Sequence, residues 1–279
     1  MLLMKIKSLL LLSLIFLLTS CFSSPAAETK VYEFSKLSSQ NRSLDISLEH
    51  GSIELIFTET DSIELRVTAG PVLWQDLLID AKENRVNISL GESLSNVAKK
   101  ALRDSRFQIE IPNETAVTLS TFDARITLTG EGLAVNIRSV SSSIQLDHFK
   151  GNSVIVNNRG PVTVENSTGQ IEAIGNYGLI QFLQSHGKLV GSTIMGNIRV
   201  DSNLDEVIDL KLETDHGDVE IKLSNPNDLN VMLNSASGDV VCDHPALDSS
   251  TRYCRGTIGN AASRIQVRTV SGRIGLTLR

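Results

Sequence analysis

The sequence predicts an all-β protein: a parallel β-helix, or β-solenoid, with coils of 18–21 residues and a small α/β insertion or cap. Three observations predict it. Glycines recur every nine residues through the middle of the chain, aliphatic residues follow most of them at the second and fourth positions, and a longer two-strand unit returns several times. Apolar residues at alternate positions are typical of a strand with one buried face. Stacked units would bury all of these faces in one core.

The nine-residue interval runs from Gly151 to Gly196, and it lengthens to 21 residues at Gly217 and Gly238. A glycine before each strand lets the chain turn with positive φ at little steric cost. The residue two after the glycine is usually aliphatic, which predicts inward-facing side chains at Ile53, Val162, Ile171, Ile180, Leu189, Ile198, Val219, Val240 and Ile274. The alternative is an antiparallel meander or propeller, because nine residues also fit a strand with a tight turn.

The longer unit has the form Thr/Ser-x-x-Gly-x-aliphatic and is clearest at Thr214, Ser235 and Thr269. We expect its copies to stack in chain order. The interval from Gly238 to Gly272 is 34 residues, which exceeds one 21-residue coil by 13. An excursion from the solenoid is therefore predicted between these two glycines.

Two cysteines bracket this excess, Cys242 and Cys254. Even pairing in an oxidising compartment predicts a disulfide between them, which would close a loop over residues 243–253. Metal binding together with the nearby His244 is the alternative, although no other residues there form a ligand cluster at zinc spacing.

Residues 70–106 interrupt the repeat. Leu77–Leu90 is typical of a β-hairpin, and Ser93–Ser105 carries apolar residues at helical spacing. We predict an insertion or a cap that covers an open edge of the solenoid, since open edges invite aggregation. The single tryptophan, Trp74, is either a binding anchor or a core or cap residue.

Residues 1–20 have the features of a lipoprotein signal peptide: two lysines, a short apolar run, and Cys21 directly after it. They predict acylation of Cys21, a flexible tether over residues 21–40, and a solenoid domain over residues 41–279. The protein would then lie outside the cytoplasm, anchored to the bacterial cell membrane or outer membrane. Ordinary secretion with cleavage after Ala26 is the alternative.

Charge and composition limit the partners. Removal of the predicted signal peptide takes away two lysines and no acidic residue, so the formal charge changes from −6 to −8. This balance disfavours nucleic acid and anionic lipid, and it leaves the lipid anchor as the expected contact with the membrane. Aromatic residues make up 4% of the chain, which disfavours a sugar-processing cleft.

Asp218 and Asp239 are the acidic residues that we single out. They occupy the same place in units 21 residues apart, which predicts that they stack one strand spacing apart at one corner. Such a pair could bind Ca²⁺ or act as the two carboxylates of a glycosidase. The alternative is two solvated turn aspartates. Ser237 and Ser271 are interpreted as corner residues, because no Gly-x-Ser-x-Gly motif is present.

The Thr-x-x-Gly-x-Ile-x-Val rhythm, the Phe107–Pro112 strand with its Ile-Pro end, and the final Thr-Val-Ser-Gly-Arg-Ile together resemble the bacterial "putative adhesin" family. This family is a β-strand repeat domain of unknown function. The resemblance covers Leu44–Arg279 and is most specific over Val117–Arg279. It implies a right-handed parallel β-helix in the cell envelope, and it supplies no catalytic residue and no cofactor.

These observations favour a non-enzymatic, lipid-anchored module for binding, adhesion or scaffolding, with an envelope protein or a glycan as its partner. One alternative is a polysaccharide lyase or hydrolase built on a β-helix, and another is an accessory protein of envelope-stress signalling. An enzyme of that class needs a groove with clustered carboxylates, basic residues and aromatics. The sequence offers only Asp218 and Asp239 toward such a groove.

Overall fold

A computed structural model describes residues 27–35, 42–91, 94–204 and 206–279. Cys21 and the predicted signal peptide lie outside these ranges. The described chain forms one α-helix, α1 (Asn96–Arg103), a 3₁₀ helix at Pro71–Gln75, and many strands. The strands are β1 (Glu28–Phe34), β2 (Ser43–Thr58), β3 (Ile63–Ala69), β4 (Leu77–Lys82), β5 (Arg85–Leu90), β6 (Arg106–Pro112), β7 (Ala116–Ser139), β8 (Ser143–Asn157), β9 (Val162–Glu165), β10 (Thr168–Gly175), β11 (Ile180–Leu183), β12 (His186–Thr193), β13 (Ile198–Asn203), β14 (Ile208–Thr214), β15 (Val219–Ser224), β16 (Leu229–Ser235), β17 (Val240–Cys242), β18 (Asp248–Ser249), β19 (Tyr253–Ile258), β20 (Ser263–Thr269) and β21 (Ile274–Leu278).

The strands stack in parallel as two walls around one aliphatic core. Wall A contains β10, β12, β14, β20 and β16, and wall B contains β9, β11, β13, β15, β21 and β17. In wall A, Ile171 aligns with Leu189, 18 positions later, and in wall B Ile198 aligns with Val219, 21 positions later. The prediction of an all-β, solenoid-like fold is confirmed. The meander or propeller alternative is wrong here because these neighbours run parallel.

The alternation of side chains follows the predicted pattern. Ile171, Phe182 and Leu189 have no exposed surface. Their neighbours at the alternate positions Glu172, Gln181 and Val190 are partly exposed. Burial of such a side chain contributes about 1.5–3 kcal/mol. The residues that face inward from the two walls are mainly Ile, Leu and Val. They contact one another in a single buried cluster, so the two walls share one core.

The glycine corners differ in one respect from the sequence-based explanation. Gly178 has a φ of 118°, which requires glycine, but the φ of Gly217 lies outside the left-handed region. At Gly217 a Cβ atom would overlap the carbonyl oxygen of Gly196 in the neighbouring coil. Close approach of two backbones, and not a positive φ, therefore requires glycine at this later corner.

The predicted hairpin and helix are both present in the segment that interrupts the repeat. β4 and β5 pair antiparallel, and β5 continues the stack by pairing parallel with β2. Ser95 caps α1, since its Oγ accepts a hydrogen bond from the N–H of Ala98 at 3.1 Å. Ala98 and Leu102 of α1 are buried. Within the described ranges, no helix combines the length and apolar character that a bilayer span needs.

Residues 28–34 were expected to belong to the flexible tether, but they form β1. This strand pairs antiparallel with β3, from Glu28 opposite Ala69 to Phe34 opposite Ile63. Among the described strands β3 otherwise pairs with β6 alone, so its other edge offers main-chain hydrogen bonds to a nearby extended segment. Residues 28–34 are therefore a strand because they pair with the edge of β3, and their composition alone does not indicate this pairing.

The last coil lies out of chain order. On wall B, Ile274 aligns with Val219 on one side and with Val240 on the other, so β21 lies between β15 and β17. β20 likewise lies between β14 and β16 on wall A. The expectation that successive units stack in chain order is therefore wrong for the final three units. Their patterns are alike, so the pattern alone does not determine which unit lies next to which.

The excess residues after Cys242 do not simply bulge from a corner. β18 and β19 pair antiparallel with each other, and β19 pairs antiparallel with β16, with Cys254 opposite Leu233. The loop predicted over residues 243–253 thus leads into a strand that covers the last parallel strand of wall A. After β19 the chain enters β20, which lies between β14 and β16.

Candidate functional site

The outer face of wall B carries a shallow depression near the C-terminal end of the stack. Its volume is about 490 Å³, and its polar lining comes from successive strands of the wall. We call it the Gly275 depression and define it by Gln181, Asn197, Arg199, Asp218, Glu220, Arg273 and Gly275, with Leu179 and Val241 at its two ends.

Gly275 creates this depression. It aligns with Glu220 of β15 on one side and with Val241 of β17 on the other, in a row of outward-facing positions. A Cβ atom at Gly275 would meet no other atom within 4 Å. Glycine in a strand interior often marks a place where a ligand or another backbone comes close. The fold itself does not require glycine here, so its effect is to leave space above the sheet.

Glu220 lies among three cationic side chains. Its carboxylate accepts a hydrogen bond from Lys222 Nζ at 2.7 Å, and this bond holds the pKa of Glu220 below its usual value. The charges of Lys222, Arg199 and Arg273 lower the pKa further, while partial burial opposes them. Glu220 therefore remains ionised and its charge is largely balanced by Lys222.

The two arginines have unused donors. In the part of the chain that the structure describes, neither the Arg199 nor the Arg273 guanidinium has a hydrogen-bond or ion-pair partner. The hydrogen bonds of Arg273 there are made by its main chain. The Nε atom of Arg199 is buried and has no acceptor. A buried N–H without a partner is costly, so this donor favours any acceptor that enters the depression.

Asp218 and Asp239 do not form the predicted adjacent pair. β21 separates their strands, so Arg273 stands between them in the row. The Asp218 carboxylate accepts the main-chain N–H of Arg273 at 2.9 Å, and the N–H of Asp218 donates to Asn197 Oδ1 at 2.9 Å. Among the described residues no group of three or more His, Cys, Asp or Glu side chains is placed to hold a metal ion.

Cys242 and Cys254 form a disulfide with Cα atoms 6.4 Å apart. Cys254 has no exposed surface, and Cys242 is half-buried against the core. The bond joins β17 of wall B to β19, which covers wall A. In the bonded form neither sulfur is available as the thiolate ligand that the metal alternative with His244 needs.

The serines of the corners take part in hydrogen bonds that join neighbouring coils. Ser237 Oγ donates to the carbonyl of Val270 at 2.8 Å. Ser271 Oγ lies 2.6 Å from His216 Nδ1, and its main-chain N–H donates to the carbonyl of Asp215. Both serines are corner residues, as their place in the repeat indicates. Their contacts connect turns of the stack and do not converge on a cleft.

Trp74 lies at the other end of the molecule. Its ring is half-buried and packs against the core, and Lys30 Nζ lies 4.4 Å from the ring centroid. These contacts favour the interpretation as a core or cap residue over a binding anchor. Sequence reasoning missed the Gly275 depression, although a glycine at an outward position between Ile274 and Leu276 was a usable signal.

The family model described as Toastrack DUF4097 matches residues 41–277. Among solved structures, the chain resembles a "putative cell adhesion protein" from Clostridium sporogenes at 13% identity, with a TM-score of 0.34 over 91% of this chain and 100% of that one. It also resembles a "putative adhesin" from Bacteroides fragilis at 13% identity, with a TM-score of 0.37 over 92% of this chain and 100% of that one. A "putative lipid binding protein" from Parabacteroides distasonis is similar at 12% identity, with a TM-score of 0.35 over 90% of this chain and 97% of that one. No curated protein matches the sequence.

Proposed function

The chain belongs to the Toastrack DUF4097 family, and from this premise we propose that it is a non-enzymatic binding or scaffold module of the bacterial envelope. Membership confirms the family expected from the Thr-x-x-Gly rhythm. The proposed partner is an envelope protein or a glycan. The proposed anchor is an acylated Cys21, for which the support is the signal-peptide pattern in the sequence.

The observation that carries this proposal is the regular outer face of wall B. Outward side chains stand in rows across the strands, for example Gln181, Arg199 and Glu220 at matching positions. Neighbouring strands are about 4.8 Å apart, so such rows present polar groups at a short, regular interval. A regular, open surface of this kind suits an extended ligand better than a small substrate that must be enclosed.

We further propose that the coil is right-handed, with 18–21 residues per turn. The register offsets of 18 and 21 positions support this length. The hand is supported by a general rule, since a strand that returns to a parallel neighbour in the same sheet does so right-handedly in about 98% of known cases.

The alternative of a polysaccharide lyase or hydrolase depended on Asp218 and Asp239 as a carboxylate pair. Arg273 stands between them, and Asp218 is engaged by the main chain of Arg273. This arrangement supports a binding role for the surface in preference to acid–base chemistry by these two residues. We therefore retain the binding module as the single candidate.

Cross-linking in cells tests the proposal. The full chain would be expressed with its own leader, with a photoreactive amino acid at position 181 on wall B or, as the matched control, at position 266 on wall A. We expect a discrete protein or glycan adduct from position 181. The proposal fails if neither position yields an adduct, or if the purified protein shortens a polysaccharide.

A further inference from the structure

We propose that the Gly275 depression binds the carboxylate groups of an acidic glycan, one built from uronic acids, through the guanidinium groups of Arg199 and Arg273. This inference rests on the proposed binding function and names the ligand class for its surface. It uses a site that the sequence analysis did not identify.

The first support is the state of the two guanidinium groups. Within the described ranges neither of them has a hydrogen-bond or ion-pair partner, and Arg199 Nε is buried without an acceptor. A guanidinium presents its donors as a planar fork that matches the two oxygens of a carboxylate. β13 and β21 are two strands apart, with β15 between them, so the two residues can bind acidic groups on successive parts of one polymer.

The second support is the shape and lining of the depression. Gly275 leaves its floor without a side chain, and the volume of about 490 Å³ lies within the range of about 300–1,000 Å³ typical of ligand sites. The amides of Gln181 and Asn197 can donate to and accept from sugar hydroxyls. Leu179 and Val241, both partly exposed, offer apolar surface at the two ends.

A third observation favours a glycan over an acidic peptide. β15 pairs with β13 on one side and β21 on the other, and β21 pairs with β17 on its far side. The main-chain groups under the depression are therefore used within the sheet. A peptide cannot add beside β13, β15 or β21 as an extra strand, which is how extended peptides often bind sheets. Ligand contacts must come from side chains, and the available side chains suit carboxylates and hydroxyls.

The acidic net charge of the chain and three carboxylates near the arginines oppose an anionic ligand. Glu220 is paired with Lys222 at 2.7 Å, and the Asp218 carboxylate accepts the main-chain N–H of Arg273 at 2.9 Å. Asp239 stands next to Arg273 in the row without an ion pair to it among the described residues. Removal of the Asp239 charge should therefore strengthen ligand binding. A site for a neutral ligand would not respond in this way.

The test is calorimetric titration of the full chain in detergent. The probes are tetrasaccharides of galacturonic, glucuronic or mannuronic acid, the same tetrasaccharides as methyl esters, and polyglutamate of similar charge. We expect at least one acidic tetrasaccharide to bind and its ester to bind at least about tenfold more weakly, because the charged hydrogen bonds are lost. Affinity should also fall as salt concentration rises.

Variants locate the site. Arg199→Ala, Arg273→Ala and Gly275→Val should each weaken binding by about tenfold or more, and Asp239→Asn should strengthen it. Arg268→Ala and Gln266→Val, on the outer face of wall A, are the matched controls and should change nothing. Circular dichroism spectra checked for every variant exclude misfolding as the cause of a loss.

Three results would overturn the inference: no acidic tetrasaccharide binds, the wall B variants bind as well as the wall A controls, or polyglutamate binds as tightly through the same arginines. The last result would assign the depression to acidic peptides. None of the three touches the proposed binding function, which the cross-linking experiment decides separately. An adduct at position 181 with no glycan binding would retain the function and reject this ligand.

Discussion

A carboxylate oxygen of Asp218 accepts the main-chain N–H of Arg273 at 2.9 Å, across 55 residues of sequence. The contact attaches the end of the chain to a coil formed much earlier. Because β21 lies between β15 and β17, Asp218 and Asp239 do not stand side by side, and the Arg273 side chain is on the same face as Arg199. This hydrogen bond joins two residues that are neighbours because β21 lies next to β15, and both of them line the Gly275 depression.

Ile171→Asp should destabilise the protein by about 4 kcal/mol or more, because it places a carboxylate in a position with no exposed surface and no partner. Chemical denaturation measures this loss. Glu172→Lys, at the next and outward-facing position, should stay within about 0.5 kcal/mol of the wild type. Equal tolerance of both changes would show that the inward and outward assignments are wrong.

Two glycines should respond in opposite ways to alanine. Gly217→Ala forces a methyl group against the carbonyl of Gly196 and should cost about 2 kcal/mol or more. Gly275→Ala meets open space, and it should leave stability unchanged or raise it by about 0.4–1 kcal/mol, as loss of chain flexibility in the unfolded state does elsewhere. Thermal melts of both variants check this. A larger loss at Gly275 than at Gly217 would contradict the close-approach explanation.

Reduction of the Cys242–Cys254 disulfide should lower the melting temperature, since closure of a loop of this size contributes about 3 kcal/mol. The oxidised protein, denatured without reductant, should show no reactive thiol from this pair. The double variant Cys242→Ser with Cys254→Ser should melt at the lower temperature whether or not reductant is present. Titration of two free thiols in protein isolated from the envelope would restore the metal or redox alternative.

Cys21→Ser should release the protein from membranes or stop its processing, because serine has no thiol to receive the lipid. Fractionation and gel migration of the full chain measure the effect. Ser24→Ala, which lies near the alternative cleavage point, is the control and should fractionate like the wild type. If Cys21→Ser also behaves like the wild type, ordinary secretion replaces the lipid anchor.

Those parts of the repeat that depend on residues close together in sequence could be predicted. The side chain of Ile171 faces inward and the hairpin of β4 and β5 forms because alternation and turn residues act over a few positions. Some corners need no glycine at all: Asn166 and Gln184 have φ of 48° and 47°, and asparagine tolerates that region better than most residues. Such positions escape a search based on glycine alone.

The order of the coils and the site were harder to predict because both depend on partners far apart in sequence. Gly238 and Gly272 lie in nearly identical patterns, so nothing local decides which of them stacks against Gly217. β1 depends in the same way on the free edge of β3. The Gly275 depression appears only when β13, β15, β21 and β17 are known to be neighbours.

The placement of β20 and β21 between strands that precede them has a consequence for folding. Because β14 and β16 come earlier in the chain, they are synthesised before the strand that separates them. Until β20 is in place, the edges of β14 and β16 that it covers lack their final partner and can associate with other chains. A copy cut short before residue 263 would have to pair these edges differently or leave them exposed.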